Sequence, residues 1–440
     1  MSSGAACRQD RAVAVAPGTG LRALFNAKGY ICALREALES GFAVHLMTTT
    51  RRRAGVTLVG IAYLSFVVLG LPAGLLGVAW PSMRETFRIP LDALGALLIS
   101  SEIGFLLFSF NSGRISSRIG VGLFLLIGGI LRAVGLLGFA LAPAWWVLVL
   151  FGLFVGMGGG ALDAGSNTYF AMNRSARLMN WLHASFGLGA AIGPLIMTTI
   201  LVSGQSWRWG YATVSVLQLF VSGCLVLVLS GWQNLESELV DKQQGLSLKS
   251  VASKDTLRLP LVWISIVLFF VYAGVEATSG QWTYTLFTEA RSMAVSTAGF
   301  WVSVYWGSFT AGRLLFGIVA DRFELVPSLR LSMLGAICAS LLIWANIAND
   351  ISLLGLTLMG LALAPIYPLL VSATPRRLGA ENAANAIGFQ VSAASLGIAA
   401  LPGFAGVLAQ RSDLEVIGPF LLVASVVMFL LHEVAVGRER

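Results

Sequence analysis

Four ionisable residues stand in stretches of the chain that are otherwise apolar. They are the acids Glu102, Asp163 and Glu276 and the base Arg132. Residues four apart lie on one face of a helix, so Asp163 would share a face with Gly159 and Asn167. A carboxyl group beside an amide can bind a proton, accept a hydrogen bond from a hydroxyl group, or exchange one for the other. These groups are therefore the first candidates for chemistry.

The composition indicates that they lie inside a membrane. Of the 440 residues, 57% are hydrophobic and 11% are charged, whereas a soluble domain has about 25% charged residues. Apolar runs of roughly 20 residues can cross a bilayer as helices, and we predict twelve of them. The predicted spans cover residues 57–79, 93–112, 121–141, 145–170, 181–203, 209–231, 259–287, 296–318, 329–347, 351–373, 383–408 and 415–434. We expect an all-α polytopic protein whose partner is the lipid bilayer.

The basic residues predict the orientation of the spans. With the N-terminus inside, 22 of the 29 Lys and Arg residues lie in inside segments, five in outside loops and two within spans. Basic residues favour the cytoplasmic side, so both termini are predicted to be cytoplasmic. The net charge of +8 is spread along the chain, which argues against a nucleic-acid partner. We expect a monomer in a bacterial inner (cell) membrane.

No pattern predicts a cofactor, a metal site or an enzyme. The four cysteines lack the close spacing of a metal or redox motif, and the three histidines are dispersed. The chain has no Gly-rich phosphate loop that ends in Gly-Lys-Ser or Gly-Lys-Thr. We therefore predict no cofactor and no ATP site.

A polar stretch and two internal repeats divide the spans into six and six. "GRISSRIG" begins at Gly113 and "GIVADRF" at Gly317, and "ASFGLGAAIGP" from Ala184 is repeated by "ASLGIAALP" from Ala394. Duplicated six-helix halves are common in transporters, which bind substrate between the halves at the bilayer midplane. The predicted parts are a poorly ordered N-terminal extension (1–54), an N-terminal bundle (55–231), a cytoplasmic linker (232–258), a C-terminal bundle (259–434) and a tail (435–440). The alternative for the extension is that "LRALFNAKGYICALREALES" forms a short amphipathic helix on the membrane surface. With a poorly ordered extension, translation of the natural protein could also begin at Met47.

The first repeat resembles the loop signature of the major facilitator superfamily, Gly-x-x-x-Asp-Arg-x-Gly. The first copy has Ser117 in place of the acid, and the second has Asp321 and Arg322 but Glu324 in place of the last glycine. In that superfamily the motif latches the cytoplasmic side through charge pairs and helix-end contacts. The resemblance implies a transporter fold of twelve helices in two pseudo-repeats. It also implies a gating role for Arg118, Asp321 and Arg322, mainly in the second half.

Four further stretches resemble the fucose-permease-like branch of the superfamily. They are "GGGALDAGSNTYF", "LMNWLHASFGLGAAIGP", "YAGVEATSGQW" and "GFQVSAASLGIAALPG". The fucose permease has a carboxylate and an asparagine four residues apart in its fourth helix, and Asp163 and Asn167 match that pair. Its second acid, in the first helix, aligns with Gly77 here. The resemblance therefore implies proton coupling through Asp163, with Glu276 or Glu102 as substitutes for the missing acid.

Each ionisable group also has a structural interpretation. A charge at the middle of a span costs about 2.5 to 3.5 kcal/mol on insertion, so such a group must face the protein interior and either pair or titrate. Arg132 could form an ion pair with Glu102 or Asp163. Arg313 lies nearer the cytoplasmic end of its span and is expected to extend towards the interface or the latch. For His183 we expect a structural hydrogen bond.

The remaining candidates are polar and aromatic residues suited to a sugar. Amides and hydroxyls can hydrogen-bond a polyol, and an aromatic face can pack on the C–H side of a sugar ring. The candidate substrate ligands are Asn167, Gln281, Trp282, Tyr305, Asn385 and Gln390. An aromatic residue in a membrane helix is often a packing or interfacial residue instead.

Together these patterns predict a secondary transporter that works by alternating access. The expected activity is proton-coupled uptake of a small polar solute such as a sugar. One alternative is an exporter of drugs or metabolites by proton antiport, although "GPLIMT" lacks the paired glycines that follow Gly-Pro in many exporters. The other is a non-transporting sensor or scaffold that has the same fold, which Ser117 favours weakly and the Asp163 and Asn167 pair disfavours.

Overall fold

The computed structural model describes residues 57–173, 176–229, 252–319 and 322–438. The predicted extension (1–54), most of the predicted linker (232–258) and Asp321 lie outside these residues. Every regular element in the described part of the chain is a helix. The all-α prediction is therefore confirmed.

The helices are numbered in chain order. In the N-terminal half they are α1 (Thr57–Phe87), α2 (Leu94–Ile119), α3 (Val121–Leu141), α4 (Trp145–Asn173), α5 (Ala176–Val202) and α6 (Arg208–Leu227). In the C-terminal half they are α7 (Pro260–Thr285), α8 (Val295–Val319), α9 (Leu325–Ala345), α10a (Asn349–Leu363), α10b (Ile366–Leu378), α11 (Ala380–Arg411) and α12 (Ile417–Gly437). A π-helical turn, Leu286–Ala290, extends α7. The two parts of α10 form one span across the break at Pro365.

Eleven helices among the described residues are long and apolar enough to cross a membrane. Of the twelve predicted spans, the one that fails this criterion is α8, although it is a helix of 25 residues. Its hydropathy is reduced by Arg313, by serine, threonine and glycine, and by aromatic residues that carry polar groups. The structure therefore contains all twelve predicted spans as helices, with α8 as the most polar of them.

The helix contacts repeat between the two halves. In the N-terminal half, α4 packs on α2 and α3, and α3 packs on α6; in the C-terminal half, α10a packs on α8 and α9, and α9 packs on α12. Each of these pairs becomes its counterpart when six is added to the helix number. The sequence repeats therefore correspond to a structural duplication.

The halves meet along two equivalent seams, α5 with α8 and α2 with α11. At the second seam the backbones approach closely: a Cβ atom built on Gly95 would lie 3.1 Å from the Cα atom of Gly403. A side chain at either position would force the helices apart. Small residues at membrane helix interfaces allow such packing.

The halves are also joined at the side predicted to be extracellular. Arg84 at the end of α1 forms an ion pair with Glu289, beyond the end of α7, at 3.0 Å. The amide N–H of Leu91 donates to the side-chain oxygen of Gln410 over 2.8 Å. These contacts cross between the halves and so join them at this side in the conformation described.

Candidate functional site

The N-terminal half supplies one acid to the interior, Asp163 on α4. The side chain of Asn167 lies beside its carboxyl group, as the four-residue spacing predicts. Asn167 Oδ1 is buried and has no hydrogen-bond partner within the described structure. The pair therefore presents a carboxyl group together with a free acceptor.

Arg132 on α3 is buried and binds backbone carbonyls. It donates to the oxygen of Leu69 at 2.8 Å and to that of Val155 at 3.2 Å, and so ties α3 to α1 and α4. No carboxylate of the described residues forms an ion pair with it. The suggested pairs with Glu102 and Asp163 are therefore absent. Gly159 makes room for the guanidinium, since a Cβ atom there would lie 2.9 Å from Nη1.

Glu102 lies on α2 beside Ser395 of α11. Its Oε2 atom is buried and has no hydrogen-bond partner in the described part of the chain. Glu102 therefore belongs to the seam between the halves.

The C-terminal half holds the second acid, Glu276 on α7, in a dense hydrogen-bonded cluster. The hydroxyl of Tyr272, one turn earlier, donates to Glu276 Oε2 at 2.5 Å. The hydroxyl of Tyr305 on α8 donates to the Glu276 backbone carbonyl at 2.8 Å. Arg313 Nη2 lies 3.8 Å from Glu276 Oε2. We call these four residues the helix 7–helix 8 cluster.

The position of Arg313 corrects the expectation from sequence. It neither extends to the interface nor joins the latch but pairs with Glu276, with its guanidinium carbon 4.2 Å from the centre of the Phe309 ring. The reason is that a buried acid needs a partner, and Arg313 is the basic residue that α8 brings to it. The sequence held a usable signal, since Glu276 and Arg313 are the charged residues deep within the α7 and α8 spans.

Tyr367 on α10b lies near ionisable groups of both halves. It lies within electrostatic range of Asp163 in one half and of Glu276 and Arg313 in the other. His183 on α5 is likewise within range of Arg313, and its ring meets the ring of Phe66 edge-on. Ionisable groups from α4, α5, α7, α8 and α10b therefore converge between the halves. Tyr272 and Tyr367 are not among the residues predicted from the sequence, because nothing in their local spacing indicates a functional role.

The other predicted substrate ligands occupy different settings. Gln281 donates to the carbonyl of Ala73 on α1 at 3.2 Å, and its Oε1 atom is buried without a hydrogen-bond partner in the described structure. Trp282 is wholly buried, and its indole donates to the carbonyl of Pro402 at 2.9 Å. Gln281 therefore lies where the two halves meet, while Trp282 packs α7 against α11.

Asn385 and Gln390 on α11 have partners outside the helix 7–helix 8 cluster. Asn385 donates to Thr256, in the turn before α7, at 3.1 Å. Gln390 accepts a hydrogen bond from Thr374 of α10b at 3.0 Å. Both contacts tie α11 to its neighbours in the conformation described, and the role of these two residues as substrate ligands stays a prediction.

Several buried polar atoms on α7 and α8 have no hydrogen-bond partner within the described structure. They include Thr278 Oγ1, Gln281 Oε1, Ser303 Oγ and Trp306 Nε1. Buried polar groups are normally satisfied, and each exception needs an explanation. These atoms are hydrogen-bond donors and acceptors without partners, and their residues lie close in sequence to Glu276 or Tyr305.

The two predicted gating residues that the structure describes lie at the side predicted to be cytoplasmic. Arg118 is exposed in the last turn of α2, and Arg322 is exposed before α9. Their position fits the predicted latch. Asp321, the acid of the second motif, lies outside the described residues.

Two duplicated bundles of membrane helices, with ionisable groups from both halves converging between them, define a membrane transporter. The model of the Major Facilitator Superfamily matches residues 62–345 and, in an overlapping match, residues 264–440. The chain belongs to this superfamily of transporters, so it is a transporter and not an enzyme. The match confirms the family that the loop motif indicated. Proteins similar in sequence to this chain agree with the fucose-permease-like branch.

Relatives of this chain are found in distant organisms. The chain is 24% identical over 403 residues to Bypass of stop codon protein 6 of Saccharomyces cerevisiae, covering 83% of this chain and 80% of that protein. It is 25% identical over 418 residues to the Sodium-dependent glucose transporter 1 of Homo sapiens, covering 84% of this chain and 77% of that protein.

Solved structures share the fold. A D-xylose-proton symporter matches with a TM-score of 0.67 at 15% identity, over 85% of this chain and 97% of that one. The nucleoside transporter NupG matches with a TM-score of 0.70 at 14% identity, over 87% of this chain and 98% of that one.

Proposed function

We propose that this transporter takes up a small polar solute of the sugar class together with a proton. The observation that carries the proposal is the convergence of Asp163 and Glu276, one acid from each half, around Tyr367. Transport by alternating access needs a site that both halves form, and coupling needs a group whose protonation depends on its surroundings. The arrangement of the two acids supports a site of this kind.

The proposed roles follow from the hydrogen bonds. Asp163 binds the proton or a substrate hydroxyl, and the free acceptor of Asn167 receives a second hydroxyl. Glu276 is the second proton site, and Glu102 stays a candidate for a third. Gln281 and Tyr305 contribute substrate hydrogen bonds from the opposite half.

The names of similar proteins support the solute class. One relative is a sodium-dependent glucose transporter, and one structural neighbour is a proton symporter for D-xylose. The first name also makes sodium a coupling ion to be tested beside the proton.

The test is accumulation of labelled hexoses, deoxyhexoses and polyols by purified protein in liposomes. An inward proton gradient and an inward sodium gradient are applied in separate experiments. We expect at least one sugar to accumulate with the proton gradient. Accumulation with sodium alone would overturn the choice of ion. No accumulation in either experiment, by protein shown to be folded, would overturn sugar uptake and favour export.

The variant Asp163→Asn tests the proposed coupling residue. It removes the titrating group but preserves the shape, so we expect proton-driven accumulation to fall to background while the protein stays folded. Asp350→Asn is the matched control, because Asp350 is an exposed acid in the first turn of α10a. Full accumulation by Asp163→Asn would refute the coupling role of Asp163.

A further inference from the structure

Arg313 has more hydrogen-bonding capacity than its neighbours use. Its nearest carboxylate oxygen, on Glu276, lies at 3.8 Å, and its contact with the Tyr272 hydroxyl is at 3.5 Å. Both distances exceed the 2.7 to 2.9 Å of a charge-assisted hydrogen bond. Arg313 Nε is buried without a hydrogen-bond partner in the described structure. A guanidinium offers five N–H donors in a planar fork that matches a carboxylate.

Glu276, by contrast, already has a strong neutral donor. The hydroxyl of Tyr272 lies 2.5 Å from the same oxygen that faces Arg313. A close pairing of Glu276 with Arg313 would have to displace this bond or share the oxygen. The acid and the base are therefore near each other without forming a bidentate pair.

The charges around Glu276 determine what happens when it takes up a proton. The groups around it are Tyr272 on α7, Tyr305 and Arg313 on α8, and Tyr367 on α10b. Across the seam, Asp163 lies within electrostatic range of Tyr367, and His183 lies within range of Arg313. Arg313 stays charged in proteins. A neutral Glu276 thus leaves Arg313 without the nearby charge that compensates it in a partly dry site.

We propose that the solute is a sugar that carries a carboxylate, and that Arg313 binds this carboxylate while Glu276 holds the coupled proton. The inference rests on the proposed function of proton-coupled sugar uptake. A carboxylate on the guanidinium restores the charge balance that protonation of Glu276 removes. Proton binding and anion binding therefore favour each other, and such mutual dependence is what symport requires.

The geometry distinguishes this class of solute from neutral hexoses. A neutral sugar can accept hydrogen bonds from Arg313, but it leaves the positive charge uncompensated when Glu276 is protonated. A sugar acid supplies both the acceptors and the charge. Arg313 is therefore a specificity-determining residue in direct contact with the substrate.

The test compares matched pairs that differ in the carboxylate alone: D-glucose with D-glucuronate, and D-galactose with D-galacturonate. Uptake into liposomes is measured with an inward proton gradient, and binding is measured by calorimetry. We expect proton-driven accumulation of at least one uronate and weak or no accumulation of its neutral partner. If a neutral hexose accumulates and both uronates are ignored, the inference falls and the proposed function stands. If no member of the panel accumulates, both fall.

Two substitutions assign the roles of the residues. Arg313→Gln should raise the Kd for the uronate by about 30-fold or more, as expected for loss of a charged bidentate contact, with the Kd for the neutral sugar nearly unchanged. Glu276→Gln should weaken the pH dependence of uronate binding and lose proton-driven accumulation. Equal effects of Arg313→Gln on the two sugars would overturn the inference.

Controls separate these roles from folding. Arg411→Gln removes an exposed arginine at the opposite end of the fold and should change neither Kd. Arg313→Lys keeps the charge but loses the fork, so uronate binding should fall between that of the wild type and of Arg313→Gln. A Lys variant no better than Gln, in protein of unchanged Tm, would contradict a charge-based role.

Discussion

The ion pair between Arg84 and Glu289 joins the two halves at the side predicted to be extracellular, and removing it should favour opening there. The side chains are 22% and 36% exposed. Ion pairs in such settings contribute about 0.2 to 1 kcal/mol. The substitution Arg84→Gln should therefore raise the ratio of open to closed molecules on this side by roughly 1.4-fold to 5-fold.

Charge reversal gives a larger and more specific signal. Arg84→Glu replaces an attraction with a repulsion of similar size, so the ratio should rise by up to about 30-fold. The double variant Arg84→Glu with Glu289→Arg should return towards the wild-type ratio. High salt should reduce all these differences, because the screening length falls from about 8 Å at physiological salt to about 3 Å at 1 M.

The assay is the distance between spin labels attached to exposed residues on the two halves. Ser203 at the end of α5 and Ser412 after α11 are exposed at this side. Arg88→Gln is the matched control, since Arg88 is an exposed arginine of the same segment as Arg84. Distance distributions that are identical in wild type, Arg84→Gln and Arg84→Glu would refute the reasoning, and so would failure of the double variant to restore the closed population.

Three further substitutions test the packing that positions the site. Gly95→Val should destabilise the fold by about 1 to 3 kcal/mol, because the valine side chain would meet the Gly403 backbone. Gly113→Val is the control, since Gly113 has open space around it. Equal Tm values for the Gly95→Val and Gly113→Val variants would contradict the close approach of the helices. Trp282→Phe should lower Tm through loss of the bond to Pro402 and leave sugar affinity unchanged; a raised Kd at constant Tm would support the predicted role of Trp282 as a ligand. Arg132→Met should change the free energy of unfolding by less than about 2 kcal/mol, because removal of a buried charge offsets the loss of two hydrogen bonds to backbone carbonyls. A decrease in the free energy of unfolding above about 4 kcal/mol would show that the charge itself is needed.

Much of the architecture could be predicted from the sequence because it depends on quantities that are local in the chain. Span length follows from the thickness of the bilayer, and the side of each loop follows from its basic residues. The neighbouring positions of Asp163 and Asn167 follow from the helical period alone. The repeats at Gly113 and Gly317 indicated the duplication that the helix contacts display.

What the sequence could not predict depends on how helices are rotated and tilted against each other. Arg313 and Glu276 lie 37 positions apart on different helices, and counting from the helix ends placed Arg313 too near the cytoplasm. The contact between Asn385 of α11 and Thr256, in the turn before α7, is likewise a tertiary contact that residue type does not indicate. Composition and periodicity carry no information about these rotations.

The two acids differ in how they would respond to movement of the halves. Tyr272, Glu276 and Arg313 belong to one half, so a rigid-body rotation leaves the distances among them unchanged. Asp163 with Tyr367, and His183 with Arg313, span the two halves, so the same rotation changes these separations. Coulomb interactions in a partly dry site depend strongly on distance. In the proposed mechanism, the conformational signal therefore reaches the helix 7–helix 8 cluster through Asp163 and His183, whereas Glu276 and Arg313 form the proposed site where proton and solute meet.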